Sequence, residues 1–323
     1  MAGAGQITNL YDVYDAKGVR EELSDLISNV SPTDTPLLSN TGSQPTSNTF
    51  FEWQTDALGA AAQNHQIDGF DITTYSAVTA TVRMGNYTSI SEKDFAVSGT
   101  ENVVNKAGRG AEVGYLATKA AKELKRDQET NYLANNAAVA GTSSTARETG
   151  GLAAFLKTNT DKTATNGADP VWTSAPTGAR SDGTERTWTE TILKSAVLKA
   201  YNSGGDPSMI MVGPYLKQVT SAFAGIAAQR FMAPGSKGTT IIGAADMYMS
   251  DFGMLAIVPN RFQPPHYAYV IDLDQIRRRT LRGYQVHTMA KTGDSEKRMI
   301  LVEEGLQVDN EKAHAIAADL TSA

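Results

Sequence analysis

There is no cysteine in this 323-residue chain, which excludes disulfides, thiolate nucleophiles and cysteine-ligated zinc. Any cross-bracing must come from packing or from other chains. Histidine is nearly as scarce: His65, His266, His287 and His314 lie far apart, without the HxH or HxxxH spacing of a metal pair, so neither a metal nor a cofactor is expected. No apolar run approaches the roughly 20 residues that cross a bilayer, and the opening MAGAGQITNLYDVYDAKG lacks the basic and apolar regions of a secretion signal. These absences lead us to expect cytosolic synthesis and no membrane partner. Lysine is missing between Lys17 and Lys93.

Positive charge is thin in the first third. Residues 1–98 carry Lys17, Arg20, Arg83 and Lys93 against twelve Asp and Glu, a net of -8, whereas the remainder is +2 and holds the cluster Arg277, Arg278, Arg279 and Arg282. Such asymmetry fits either solvated faces or complementary surfaces on copies of one chain. It does not fit a basic domain that wraps nucleic acid.

What is present is organised around one stretch, AEVGYLATKAAKELKRDQETNYLAN (111–135), free of proline and dense in helix formers. Val113, Leu116, Ala117, Ala120, Leu124 and Asn131 recur at steps of three and four, with Lys119, Lys122, Glu123, Lys125, Arg126 and Glu129 off that face. At about 1.5 Å per residue this helix is roughly 37 Å long, more than a small core needs. Gly108 and Gly110 predict a break before it.

Ahead of that helix, GVREELSDLISNV (18–30) predicts a short amphipathic helix, and Pro32, Pro36 and Pro45 stiffen the arm that follows. TFFEWQT (49–55) and SAVTATVRM (76–84) predict two strands of a long hairpin with few large apolar anchors, which needs a partner surface. Residues 87–97 continue as strand or extended chain. Beyond the helix come the apolar turn Leu152, Phe155, Leu156 and a loose polar stretch over 158–186. A helix over 189–201 follows, with Ile192, Leu193, Ala196, Val197 and Ala200 inward. Strand 209–212 turns at Gly213 into a helix to about Gly225 that has Pro214 in its first turn. Strands are expected at 247–249, 255–258 and 267–273, then a hairpin of 284–290 with 297–303, and an Ala-rich tail.

Chemical motifs fail their structural tests. Gly108, Arg109 and Gly110 with Gly114 read GxGxxxG at a helix start, but a dinucleotide site demands a buried strand before it, and SGTENVVNKA is polar. The loop at Gly235 and Lys237 lacks a phosphate-loop ending. No GxSxG or HExxH occurs, Glu303 and Glu304 fall at an expected strand end, and Asn86-Tyr87-Thr88 is a sequon without a secretion signal.

Six segments in order carry a resemblance: DLISNVSPTDTPLLS (25–39), FFEWQTDAL (50–58), the descent from Arg83 to Lys93, KELKRDQETNYLAN (122–135), ARETGGLAAFL (146–156) and IDLDQIRRRTLRG (271–283). Together they resemble the major capsid proteins of tailed bacteriophages with the HK97-type fold, and more narrowly the SU10-like capsid family. The resemblance implies an α+β fold with an N-terminal arm (1–45) and an extended β-hairpin loop (46–95). A peripheral domain (96–187) would carry the long spine helix (about 111–135), followed by an axial domain (188–272), then return strands and a tail (273–323).

It further implies a structural protein, not an enzyme, that self-assembles into the hexamers and pentamers of an icosahedral shell. That shell would enclose double-stranded DNA contacted non-specifically, with separate scaffold, decoration and portal proteins as partners. Subunit contacts are expected at Phe50, Phe51, Trp53, Arg83, Arg277, Arg278, Arg279 and Arg282, with the acidic arm and loop docking on basic surface of neighbours. Some such shells lock through a lysine of that loop; no lysine occurs between Lys17 and Lys93, so a non-covalent shell is expected. The alternatives are an encapsulin-type shell of the same fold, or a soluble α/β enzyme binding a phosphorylated ligand near residues 108–114 or the Gly213-Pro214 turn.

Overall fold

A computed structural model of the chain describes residues 31–72, 75, 77–104, 110–223 and 246–322. The expected helix at 18–30, Ser76, Gly108 and Arg109, and the loop at Gly235 lie outside the described residues.

The chain opens with a one-turn helix α1 (Pro36–Asn40), then β1 (Gly42–Pro45), β2 (Phe50–Thr55), β3 (Val82–Tyr87) and β4 (Ser89–Ser98). Helix α2 (Gly99–Val103) precedes the spine α3 (Glu112–Leu133), and α4 (Leu152–Phe155) and β5 (Thr160–Asp161) follow. Next come α5 (Glu190–Asn202), β6 (Met209–Val212), α6 (Pro214–Ser221), β7 (Met247–Ser250), β8 (Gly253–Pro259) and β9 (Ala268–Ile271). The chain ends with β10 (Ile276–Thr288), β11 (Ser295–Val308) and β12 (Ala315–Ala317). One sheet has the order β1-β10-β11-β4, a second β5-β12-β9-β6-β8-β7, and β2 pairs with β3 alone.

The six-stranded sheet is covered on both faces, which is why β6 reads as the unbroken apolar run MIMV. Ile210 and Val212 face Leu193, Ala196, Val197 and Ala200 of α5 and Leu216 of α6. Met209 and Met211 face the other core, with Leu37, Leu38, Tyr132, Leu133, Phe155 and Ile271. Helix α6 stops at Ser221, short of the expected Gly225. The Ala-rich tail is no trailing end. Strand β12 lies between β5 and β9, burying Ala315, Ile316, Ala317 and Ala318 completely. Residues 160–161 and 315–317 thus both join the sheet built by β6 to β9.

Two other boundaries move. The second strand of the long hairpin begins at Val82, not Ser76, because residues 77–81 have no strand opposite them. The terminal hairpin is longer than expected: β10 starts at Ile276 and β11 runs to Val308. Polar residues such as Arg278, Thr280 and Glu304 mask the strand signal, yet pair across the ladder.

The spine helix spans Glu112–Leu133, within two residues of expectation, and α2 ends before it as the glycines predict. Ala120 and Leu124 pack on Ile300 and Val302 of β11. Glu129 corrects the sequence reading: its charge argues for solvent, but its position four before Leu133 puts it on the buried face, at 0% exposure. Glu129 Oε1 accepts the Leu37 N–H (2.8 Å) and Asn260 Nδ2 (2.6 Å), and Oε2 accepts the Leu38 N–H (2.8 Å). The carboxylate thereby satisfies the open N–H groups at the start of α1 and pins the arm to the spine. Glu129→Ala should cost about 3 kcal/mol by leaving those donors buried and unpaired. The check is a lower thermal midpoint together with new proteolysis before Thr41; an unchanged midpoint would refute the pin.

Candidate subunit interface

Among the described residues the long hairpin is anchored only at its base. Along FFEWQT the side chains alternate, so Phe51 and Trp53 turn inward while Phe50, Glu52 and Gln54 turn out. Phe51 lies against Gly305 of β11, where an added Cβ would come within 2.7 Å of its ring. Trp53 stacks 5.9 Å from Phe51, lies 6.1 Å from Phe155 and donates Nε1–H to the Asp309 carbonyl at 3.1 Å. On the opposite face Phe50 covers Gly85 and packs 4.6 Å from Tyr87.

Asn86 completes the anchor, although sequence alone gives it no role beyond the sequon. Its amide donates to the carbonyls of Leu306 (2.6 Å) and Gly150 (3.2 Å) and accepts the Gly150 N–H at 2.8 Å. A polar side chain one step from a buried glycine in a strand is the only local hint.

Beyond the base the hairpin leaves the subunit. Every described residue from Asp56 to Arg83 is exposed, including Leu58 (98%), Ile67 (81%) and Val78 (95%). Its tip is a turn at Asp68 and Gly69, closed by the Phe70 N–H to the Ile67 carbonyl at 3.1 Å, with Gly69 at φ +80°. So much exposed apolar surface marks a contact region.

A groove of about 490 Å³ opens where the hairpin base meets β1 and β10. Five of the eight expected contact residues line it: Phe50, Phe51, Trp53, Arg83 and Arg279. Arg83 lies 3.3 Å from Glu52, with its side chain 69% exposed. Arg279 has neutral partners, the Gln307 amide oxygen through Nε and the Pro45 carbonyl through Nη1 at 3.4 Å. The other three arginines are held within the subunit: Arg277 by Asp309 (3.2 Å), Arg278 by Glu304 (3.6 Å) and Arg282 by Glu303 (2.7 Å).

Glu303 and Glu304 stand in the middle of β11, not at a strand end, and both are buried. Consecutive strand residues face opposite ways. Glu303 therefore meets Arg147, Arg282 and Thr88, while Glu304 meets Arg278, Thr280, Tyr132 and Gln128. Arg147, which sequence reasoning passed over, also donates to the Thr88 carbonyl beneath the hairpin.

The glycine motif does not assemble a nucleotide site among the described residues. The element before α3 is helix α2 rather than a strand, and Gly114 is exposed with open space around it.

This frame, a spine helix across a return sheet, a separate six-stranded sheet with its helices and an outstretched hairpin, is that of an HK97-like capsid subunit. Its likeness to the Cyanophage A-1(L) capsid asymmetric unit has a TM-score of 0.70 at 14% identity, covering 98% of this chain and 100% of that one. A Gordonia phage Cozz chain follows the same path with a TM-score of 0.58 at 14% identity, over 100% and 97% of the two chains. The SrpI encapsulin of Synechococcus elongatus PCC 7942 shares the fold at 0.53 and 11% identity, over 97% of each chain.

The sequence goes further than the fold. It is 29% identical to the major capsid protein of Escherichia phage Phieco32, over 95% of this chain and 96% of that one. The profile of the family described as SU10 major capsid protein matches residues 6–321, and the chain belongs to that family of phage shell proteins. The encapsulin likeness is one of fold alone.

Proposed function

We propose that copies of this chain close into the hexamers and pentamers of an icosahedral phage head. The head encloses double-stranded DNA, without catalysis and without covalent locking. The observation that carries this is the hairpin: the described residues between 56 and 81 place apolar side chains in solvent, a surface suited to contact with other copies. In this assignment residues 1–45 are the arm, 46–95 the extended loop, 96–187 the peripheral domain, 188–272 the axial domain and 273–323 the return strands and tail. The acidic arm and loop dock on basic surface of adjacent copies. A net charge of -6 fits weak, sequence-blind contact with DNA across the lumen. Scaffold, portal and decoration proteins are separate chains, and the subunit is made in the host cytoplasm.

The non-covalent character is supported by the lysine gap up to Lys93, which is paired with Asp127 at 2.8 Å. The test is electron microscopy with light scattering on the purified protein and on a variant lacking residues 57–80. The full chain is expected to form shells, rings or tubes. The deletion should keep its fold and remain unassembled; normal shells from it would overturn the proposal. A covalent ladder on denaturing gels would overturn the absence of locking.

A further inference from the structure

We infer that the tip of the extended hairpin in one copy seats in the groove at the hairpin base of a second copy, Asp68 and Asp71 pairing with Arg279 and Arg83 around Phe70. This rests on the capsid reading and names the partner surface for its loop. The tip reads IDGFDI, an aromatic ring flanked by two carboxylates and held forward by the turn at Gly69. The groove is its chemical complement, with the half-buried rings of Phe50 and Trp53 beside two guanidinium groups. With Glu52 as its one carboxylate, the groove is left with a net positive charge. A charged side chain whose partners are neutral can take up a carboxylate without giving up an ion pair. Arg279 is in that position.

Geometry favours a second copy over the same one. About twelve residues of each limb separate the tip from the base, a reach of at most about 40 Å when fully extended. Every described residue along them is exposed, so the tip does not rest on the described residues of its own subunit. Tip and groove are different patches of one chain, so their contact is heterologous and, repeated about a rotation axis, closes a ring. The alternative seat, the lysines of the spine, is less suited: Lys119 lies 3.9 Å from Glu123, a carboxylate of its own helix.

The absence of native cysteine makes an introduced pair unambiguous. Gln66→Cys combined with Ser47→Cys should give, on mild oxidation of assembled particles, a ladder of covalent oligomers on non-reducing gels. Neither single variant should give a ladder beyond a dimer. Particles without that ladder would overturn the seat while leaving the capsid reading intact; absence of particles from the unaltered chain even with its scaffold supplied would overturn both.

A second measurement does not depend on the cysteine variants. Protein carrying Asp68→Arg with Asp71→Arg, and protein carrying Arg83→Glu with Arg279→Glu, should each fail to assemble alone. Mixed, they should form particles built of hexamers, such as tubes, that contain both, because copies alternating around a six-membered ring put each tip in a groove of opposite charge. Normal particles from either variant alone, or none from the mixture, would overturn the pairing.

Discussion

Glu303→Ala is expected to destabilise the subunit by about 3 kcal/mol, as does breaking a buried ion pair from one side. Glu303 is 3% exposed and is shared by Arg147, by Arg282 at 2.7 Å and by the Thr88 hydroxyl at 3.2 Å. Arg282 can turn to water, but Arg147 is mostly covered and would lose its only carboxylate among the described residues. The loss is greater than for a surface pair because removal leaves charge where solvent cannot reach it. Thr88 joins β3 to β4, so the same change should loosen the hairpin base. Glu303→Gln, which keeps acceptor and shape, should fall between alanine and the natural residue. Urea unfolding of the unassembled subunit reads all three; a loss below about 1 kcal/mol for alanine would refute the role.

Acidification from pH 7 to pH 4 should cost a further ~3 kcal/mol through His314. That ring is wholly buried in the C-terminal segment, where Nδ1 accepts the Asp272 N–H at 3.1 Å. Burial pushes its pKa down from 6.5 to about 4, because an imidazolium there would lose its hydration. Between these values the unfolded chain takes up a proton that the folded chain refuses. The stabilisation is therefore complete above pH 6.5 and falls by about 1.4 kcal/mol per unit as pH drops.

Glu129 acts with the opposite sign. Burial raises its pKa despite the hydrogen bonds from Leu38, Leu37 and Asn260, so its contribution is greatest at low pH and is lost as pH rises through the folded value. His314→Gln keeps an acceptor for Asp272 but cannot take the proton, and should flatten the slope of stability between pH 6.5 and 4. An unchanged slope in that variant would assign the acid lability elsewhere.

Local signals explain what could be read in advance. Proline at the first turn of α6, the uniform helix formers of the spine and the apolar run MIMV each act within a few residues. The corresponding elements appear where the pattern puts them. Aromatic alternation in FFEWQT likewise marked a strand, which the structure places at the hairpin base and along the groove. The arginines were less legible. Four lie within six residues and look equivalent, yet three meet carboxylates of their own subunit and one meets an amide. Nothing in IRRRTLRG distinguishes them, because their partners come from the register of β11.

The sequence by itself determined the types of the long elements, the hairpin, the lysine gap between Lys17 and Lys93 and the family, all of which depend on composition and short-range order. The tertiary structure alone decided which charges are buried. Glu129 is a solvated helix residue until Leu37, 92 positions away, and Asn260, 131 positions away, bring their donors to it. Glu303 and Glu304 are a strand end until β10 extends the ladder beside them, the spine covers Glu304 and Arg147 reaches Glu303 from the other face. A buried carboxylate is stable only with its partners in place, and partners distant in the chain are set by the packing of whole elements rather than by local preference.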